Sequence, residues 1–443
     1  MLIINFKIQS LQPNCQSLVI IRTVSQTHSQ PKSQTKMAEK EAIEEAHSKL
    51  RFKLLREIRW SNRRECEFPP KVRHYRKVVS PYYENSPPTK EEMEIMESCP
   101  KVDRENLEEL LQEENFYLVM NWNRGSESGD EEEFADAPDF VEIRSRRRIP
   151  WVPVLIYKPK ESDNHKKRPA VVFLHDMNKN KEFFRPLLKA YASRGYITVA
   201  VDACYHGERA TYTHAYRDAL TYAWSSVDTS PFIYEPQVCD LMRLADYLTE
   251  REDIDPSRIG ITGISLGGIH AWFAAVADTR YSVVVPLIAV RGFQWAIDND
   301  KWKGQVDSME ILFEVGRHNL CKDRMDKEVV EKVSRVCLQS IPISLCFDLL
   351  VFDHVSPCLT SEFDAPYSIP AIAPRPLLII NGAEDPQCPV AGLEVTRSKA
   401  IQAYQAFQCV DNFKFIAEAG VGHQLTRLQV KESADWFDRF LKP

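Results

Sequence analysis

The chain is 443 residues long, with 44% hydrophobic and 27% charged residues and a formal net charge of −6. That length admits one large α/β domain with appendages, and the mild acidity leaves no basic footprint for nucleic acid. The longest apolar run, VVVPLIAV from Val283 to Val290, falls far short of the eighteen or so residues of a spanning helix, so a soluble protein without a transmembrane segment is expected.

The 11 cysteines are scattered singly with no CxxC pair, and the 11 histidines show no HExxH spacing. Neither a disulfide framework nor a metal site is expected, and a reducing compartment is.

The first 38 residues contain no Asp or Glu but carry Lys7, Arg22, Lys32 and Lys36. They read as a disordered extension of a cytoplasmic protein; the alternative is a mitochondrial or chloroplast transit peptide over residues 1–36, with Met37 as a second start. Residues 39–139 read as a charged helical arm followed by an acidic loop. Ile43, Leu50, Leu54 and Ile58 recur at spacings of four and seven, prolines from Pro69 to Pro88 break the pattern, and the helical reading runs to about Asn115. The stretch GSESGDEEEFADAP, Gly125 to Pro138, has little to bury.

From residue 140 to 443 the period changes. Strand candidates at Ala170–Leu174, Tyr196–Val201, Ile259–Thr262, Tyr281–Ala289, Pro376–Ile380 and Phe413–Ala417 are apolar with little alternation, as strands covered on both faces are. Helical stretches fall between them, at Lys181–Arg194, Glu235–Arg251, Leu266–Ala277 and Thr426–Leu441. Such alternation predicts an α/β fold with a mainly parallel, doubly wound sheet. The interval from about 291 to 374 breaks it and reads as a helical cap insertion.

Between the strand ending at Thr262 and the helix starting at Leu266 stands GISLGG, Gly263 to Gly268. A sharp strand-to-helix turn brings the residues flanking Ser265 close together, which favours glycine there, and aims the serine Oγ away from the sheet. A serine hydroxyl needs a base and something to hold that base. In this kind of fold the acid and then the histidine follow, each just after a later strand. Asp385 in INGAED and His423 in GVGHQ stand there. Glu384 is the alternative acid; Asp411 comes too early, before the last strand.

On these residues the sequence resembles the α/β-hydrolases, within them the dienelactone-hydrolase, acetyl-esterase and prolyl-oligopeptidase-like group. The resemblance covers roughly Ile149 to the C-terminus. It rests on DLMRLADYLTEREDIDPSRIGITGISLGG (Asp240 to Gly268), DACYHGERA (Asp202 to Ala210), PRPLLIINGAEDPQCPV (Pro374 to Val390) and Gly422-His423. It implies Ser265 as nucleophile, His423 as general base, Asp385 as the residue orienting the imidazole, and no cofactor or metal. It also implies an oxyanion hole made by the backbone N–H groups of Leu266 and Met177.

The second donor lies in HDMNKNKE, His175 to Glu182, where Asp176 replaces the glycine of the family pattern. A carboxylate about 6 Å from a developing oxyanion, at an effective dielectric near 20, repels it by roughly 3 kcal/mol. Turning it to solvent, or pairing it with Lys179 or Lys181, would relieve this.

Other features read as packing or surface. Tyr205, His206 and Arg209 follow a strand and read as a self-packed turn or pocket lining; Arg144, Arg146, Arg147 and Arg148 read as an exposed hairpin face; Trp295 and Trp302 read as cap core. The expected activity is cleavage of a small-molecule carboxylic ester through an acyl-enzyme. The alternatives are a catalytically weak ligand-binding homologue, or a peptidase or thioesterase using the same three residues.

Overall fold

A computed structural model describes residues 32–61, 70–74, 87–103, 106–119, 151–160, 167–210, 214–225, 235–338 and 363–442. Residues 1–31, the acidic stretch Gly125–Pro138, the arginine cluster at 144–148 and residues 339–362 of the expected cap lie outside them.

The described strands are β1 (Lys71–Arg73), β2 (Leu111–Val119), β3 (Trp151–Pro159), β4 (Arg168–Leu174), β5 (Ile197–Val201), β6 (Ile254–Ile264), β7 (Tyr281–Leu287), β8 (Leu377–Gly382) and β9 (Phe413–Glu418). They form one sheet in the order β1-β2-β3-β5-β4-β6-β7-β8-β9. The run from β5 to β9 is parallel, while β1, β2 and β3 add an antiparallel edge.

Residues up to about Asn115 read as helical, yet Leu111–Val119 pairs along its whole length with β3, from Leu111 opposite Pro159 to Val119 opposite Trp151. The glutamates at 108, 109, 113 and 114 suit a helix. The β-favouring Phe116, Tyr117 and Val119, offered a partner strand, decide otherwise.

Alternation along β4 divides the core into two layers. Ala170, Val172 and Leu174 face one side with Val199, Ile261 and Ile379. Val171 and Phe173 face the other with Ala200, Val285 and Ile380. The first layer is covered by α5 (Glu235–Glu250), α6 (Leu266–Ala277) and α12 (Glu394–Ala406), the second by α3 (Arg185–Ser193) and α13 (Arg427–Leu441). Helix α6 is buried at every position because LGGIHAWFAAVA has no polar face, so it lies sandwiched between the sheet and other helices.

The long N-terminal helix α1 (Lys32–Ser61) docks on this first layer. Leu54 enters the core, Arg51 Nε donates to Val276 O at 3.1 Å, and His47 stacks on Phe407. Short α2 (Lys90–Glu97) is closed by a capping box between Thr89 and Glu92.

After β7 come α7 (Phe293–Asp298), α8 (Lys303–Ser308), α9 (Glu310–Asn319) and α10 (Lys327–Leu338), then α11 (Ala365–Ser368). Helices α7 to α10 build a third apolar cluster that includes Ile297, Leu312, Phe313, Val329 and Val330 and closes on Leu266, with Met177, Tyr216 of α4 (Ala215–Ser225) and Trp302 packed against it. No helix among the described residues is long and apolar enough to cross a membrane.

Candidate active site

The chain leaves β4 for β5 on one side of it and then crosses back from β5 to β6 on the other. That reversal opens a crevice at the carboxyl ends of β4 and β6, the usual ligand position in such sheets. Ser265 stands there, between the last residue of β6 and the first of α6, with φ 50° and ψ −113°, a conformation that non-glycine residues rarely adopt.

Close packing explains the neighbouring glycines. A Cβ on Gly263 would sit 2.3 Å from the backbone of Gly267, and one on Gly267 would sit 2.0 Å from Leu174 O at the end of β4. The turn is pinned on its other side by the Ser265 N–H, which donates to Leu287 O at 2.9 Å.

The structure brings the three expected side chains together. The Ser265 hydroxyl lies 2.8 Å from His423 Nε2, and His423 Nδ1 lies 2.7 Å from Asp385 Oδ2. A carboxylate accepts only, so Nδ1 carries the proton and Nε2 offers its lone pair to the serine. The loops bearing acid and histidine are tied to each other through backbone: Ala383 N–H donates to Glu418 O and Glu384 N–H to Val421 O. Glu384 itself points to solvent, as does Asp411, which leaves Asp385 as the carboxylate in reach.

Asp385 is almost wholly buried. Burial pushes its carboxyl up, but the hydrogen bond and charge of His423, with the N–H groups of Gln387 and Cys388, outweigh that and hold it below its ordinary range. It therefore stays an anion against the imidazole. Cys388 completes, with Asp385 and His423, a group close enough to hold a metal ion. Burial raises its thiol to about 12, however, and its Sγ contacts Ile288 O, so it presents a neutral thiol rather than a thiolate.

The two expected oxyanion donors differ. Leu266 opens α6, so its N–H belongs to the first turn, where no carbonyl of the same helix reaches. Met177 N–H is already donated to Asp176 Oδ1 at 2.6 Å. The two reliefs considered for Asp176 give way to a third arrangement: Lys179 pairs with Glu92, and Lys181 with Glu208 and Asp202, while the Asp176 carboxylate folds back on its own loop. The short side chain reaches the next amide without rearranging the backbone, as Asp does in turns.

His175 and Asp202 carried no assigned role in the sequence, whereas His206 and Arg209 read there as a self-packed turn or pocket lining. His175 lies between the β4 and β5 ends; its Nε2 accepts the Ala203 N–H at 2.9 Å, and burial lowers its pKa so that it stays neutral. Asp202 accepts the N–H groups of Lys181 and Glu208 and faces the buried Lys181 ammonium. Arg209 pairs with Asp240 at 2.8 Å, both buried, and His206 packs between His175 and Tyr216, so this turn is self-packed. The signal was the run of buried-type polar residues in DACYHGERA, whose partners no local pattern identifies. Trp302 packs against the cluster formed by the helices after β7, and Trp295 lies against Gly392.

A parallel sheet with a strained serine turn at its carboxyl edge and a helical insertion over it defines an α/β-hydrolase fold. Comparison with known proteins agrees. The prolyl oligopeptidase family matches residues 183–296. In Bacillus subtilis, YtaP, provisionally named a hydrolase, is 23% identical over 65% of this chain and 83% of its own length. YitV, provisionally named an esterase, is 24% identical over 68% of this chain and 99% of its own. Among solved structures, acetyl xylan esterase 1 from Thermoanaerobacterium sp. superposes with a TM-score of 0.52 at 15% identity, covering 89% of this chain and 98% of that one. Methylesterase BT1017 also gives 0.52 at 15% identity, with 92% of this chain covered and 66% of that one, just under two thirds. The fold is that of the α/β-hydrolases, and these relatives support a serine hydrolase of that fold.

Proposed function

We propose that the protein cleaves carboxylic esters through an acyl-enzyme formed on Ser265. The observation that carries this reading is the continuous relay from Ser265 Oγ through His423 to Asp385, at 2.8 and 2.7 Å, starting from a strained turn. As Oγ attacks the ester carbonyl, its proton passes to His423 Nε2; Asp385 holds the ring by Nδ1–H and stabilises the imidazolium that forms. The carbonyl oxygen becomes an oxyanion facing the first-turn amide of Leu266 and, once Asp176 yields it, that of Met177. Collapse expels the alkoxide, which takes the proton back from Nε2. Water, deprotonated by the same nitrogen, then releases the acid.

Esters fit better than amides because one of the two oxyanion donors is occupied at rest, and an amide demands more help at that oxygen. The name of YitV points the same way. Ser265→Ala should lose turnover of p-nitrophenyl acetate and labelling by a fluorophosphonate while keeping the native melting temperature. Undiminished turnover in that variant would exclude the mechanism.

A second reading, a ligand-binding homologue with little turnover, draws on the same Asp176–Met177 contact. Absence of fluorophosphonate labelling of the unmutated protein between about pH 6 and 9, with ligand binding intact, would favour it.

A further inference from the structure

The relay leaves one buried charge unused. Arg291 is 7% exposed, its Nε is sealed from solvent without an acceptor, and among the described residues no carboxylate pairs with it. Its guanidinium carbon lies 5.6 Å from the centre of the Phe293 ring. Other arginines withdrawn from solvent are engaged: buried Arg209 pairs with Asp240, and half-buried Arg375 donates to the carbonyls of Ala275, Asp278 and Tyr281. Guanidinium groups are costly to bury unpaired, and an unpaired one in a cleft is a ready partner for an anion.

Its place in the fold is set by backbone. The chain leaving β7 passes between the strand that ends at the nucleophile and the strand that ends at the acid. Leu287 O accepts the Ser265 N–H, Ile288 N–H donates to Ile380 O, and Val290 O accepts from Asn381 Nδ2. Arg291 is the next residue, at the rim between Ser265 and Asp385 where α7 and the cap begin. Its charge also reaches Cys388, three positions beyond Asp385.

We propose that Arg291 is an anion subsite of this cleft, pairing with a carboxylate carried by the ester substrate itself. This rests on the ester-hydrolase reading above. The planar fork of a guanidinium matches a carboxylate with two parallel hydrogen bonds, which suits a substrate that carries its own anion.

The test uses the full-length protein and two charged–neutral substrate pairs. Mono-p-nitrophenyl succinate against p-nitrophenyl butyrate places the charge on the acyl side, and 3-acetoxybenzoate against phenyl acetate places it on the alcohol side. In at least one pair the charged member should be preferred in kcat/KM, after correction for its intrinsic hydrolysis rate. Arg291→Gln should reduce that preference by about 30-fold, the usual scale for a desolvated charge pair, and Arg291→Lys by less.

Preference for the neutral member in both pairs overturns the proposal, as does an Arg291→Gln variant that slows charged and neutral members equally. If Arg291→Gln does not fold, the preference of the unmutated protein and its response to Arg291→Lys decide. Should added phosphate or acetate change neutral-ester turnover with no charged substrate preferred, the site takes a free anion and the proposal fails. If no ester is turned over and Ser265 is not labelled, the hydrolase reading has failed. Calorimetric titration with succinate then judges the subsite alone: binding that Arg291→Gln abolishes supports it, and no binding overturns it.

Discussion

Removing the Asp176 side chain should make this protein a faster acylating enzyme. Asp176 Oδ1 lies 2.6 Å from Met177 N. An oxyanion accepting the same N–H would sit about 2.9 Å from that nitrogen, which puts the two oxygens roughly 3–5 Å apart. At 4 Å and an effective dielectric of 20 they repel by about 4 kcal/mol. Swinging the carboxylate away instead forfeits one hydrogen bond to a charged acceptor, about 1.5–3 kcal/mol. The cheaper route governs, so the resting contact slows acylation roughly 10- to 150-fold.

Asp176→Gly should recover most of that factor, and Asp176→Asn less, since a neutral amide oxygen can still hold the Met177 N–H. The backbone bonds that shape the loop, from Lys179 N–H and His175 Nδ1 to Asp176 O, survive both changes. The assay is the pre-steady-state burst with p-nitrophenyl acetate, which isolates acylation from deacylation, alongside the fluorophosphonate labelling rate. A burst no faster in Asp176→Gly than in the parent would refute the reasoning and remove Met177 from the oxyanion hole.

Gly267→Ala forces a Cβ to within 2.0 Å of Leu174 O, a backbone atom that cannot step aside; a loss above about 3 kcal/mol and of probe labelling is expected, and a near-native melting temperature would contradict it. Arg209→Ala leaves Asp240 buried without its cation, so the chemical denaturation midpoint should fall by the equivalent of about 3–5 kcal/mol. His47, on the docked face of α1, is pushed down to about 4 by burial, with Arg51 and Arg375 adding to the effect. A histidine lowered in the folded state contributes stability that is complete above its unfolded value near 6.5 and is lost as pH falls toward about 4. Amides of α1 should therefore exchange faster across that window than intrinsic chemistry predicts, and His47→Phe should flatten the dependence; a profile identical in both proteins would count against it.

Much of the architecture was legible in short stretches. Periodicity placed α6 at Leu266–Ala277 to the residue, and the central strands to within a few residues, because a strand buried on both faces must be apolar throughout and a helix sandwiched between layers apolar all round. GISLGG announced its own turn, since steric exclusion of a Cβ acts between residues four apart in the chain. The chain order of Ser265, Asp385 and His423 followed from the strands that precede each of them.

Tertiary structure alone decided the rest. The stretch Leu111–Val119 became a strand because β3 lay alongside it, and no window of nine residues contains that partner. The rotamer that sends the Asp176 carboxylate to Met177, the pairing of Arg209 with Asp240 and the lack of a carboxylate for Arg291 among the described residues depend on what folding, rather than sequence, brings close. Local sterics and hydrophobic period are properties of consecutive residues, whereas the partner a charge finds depends on which distant segments the finished sheet places beside it.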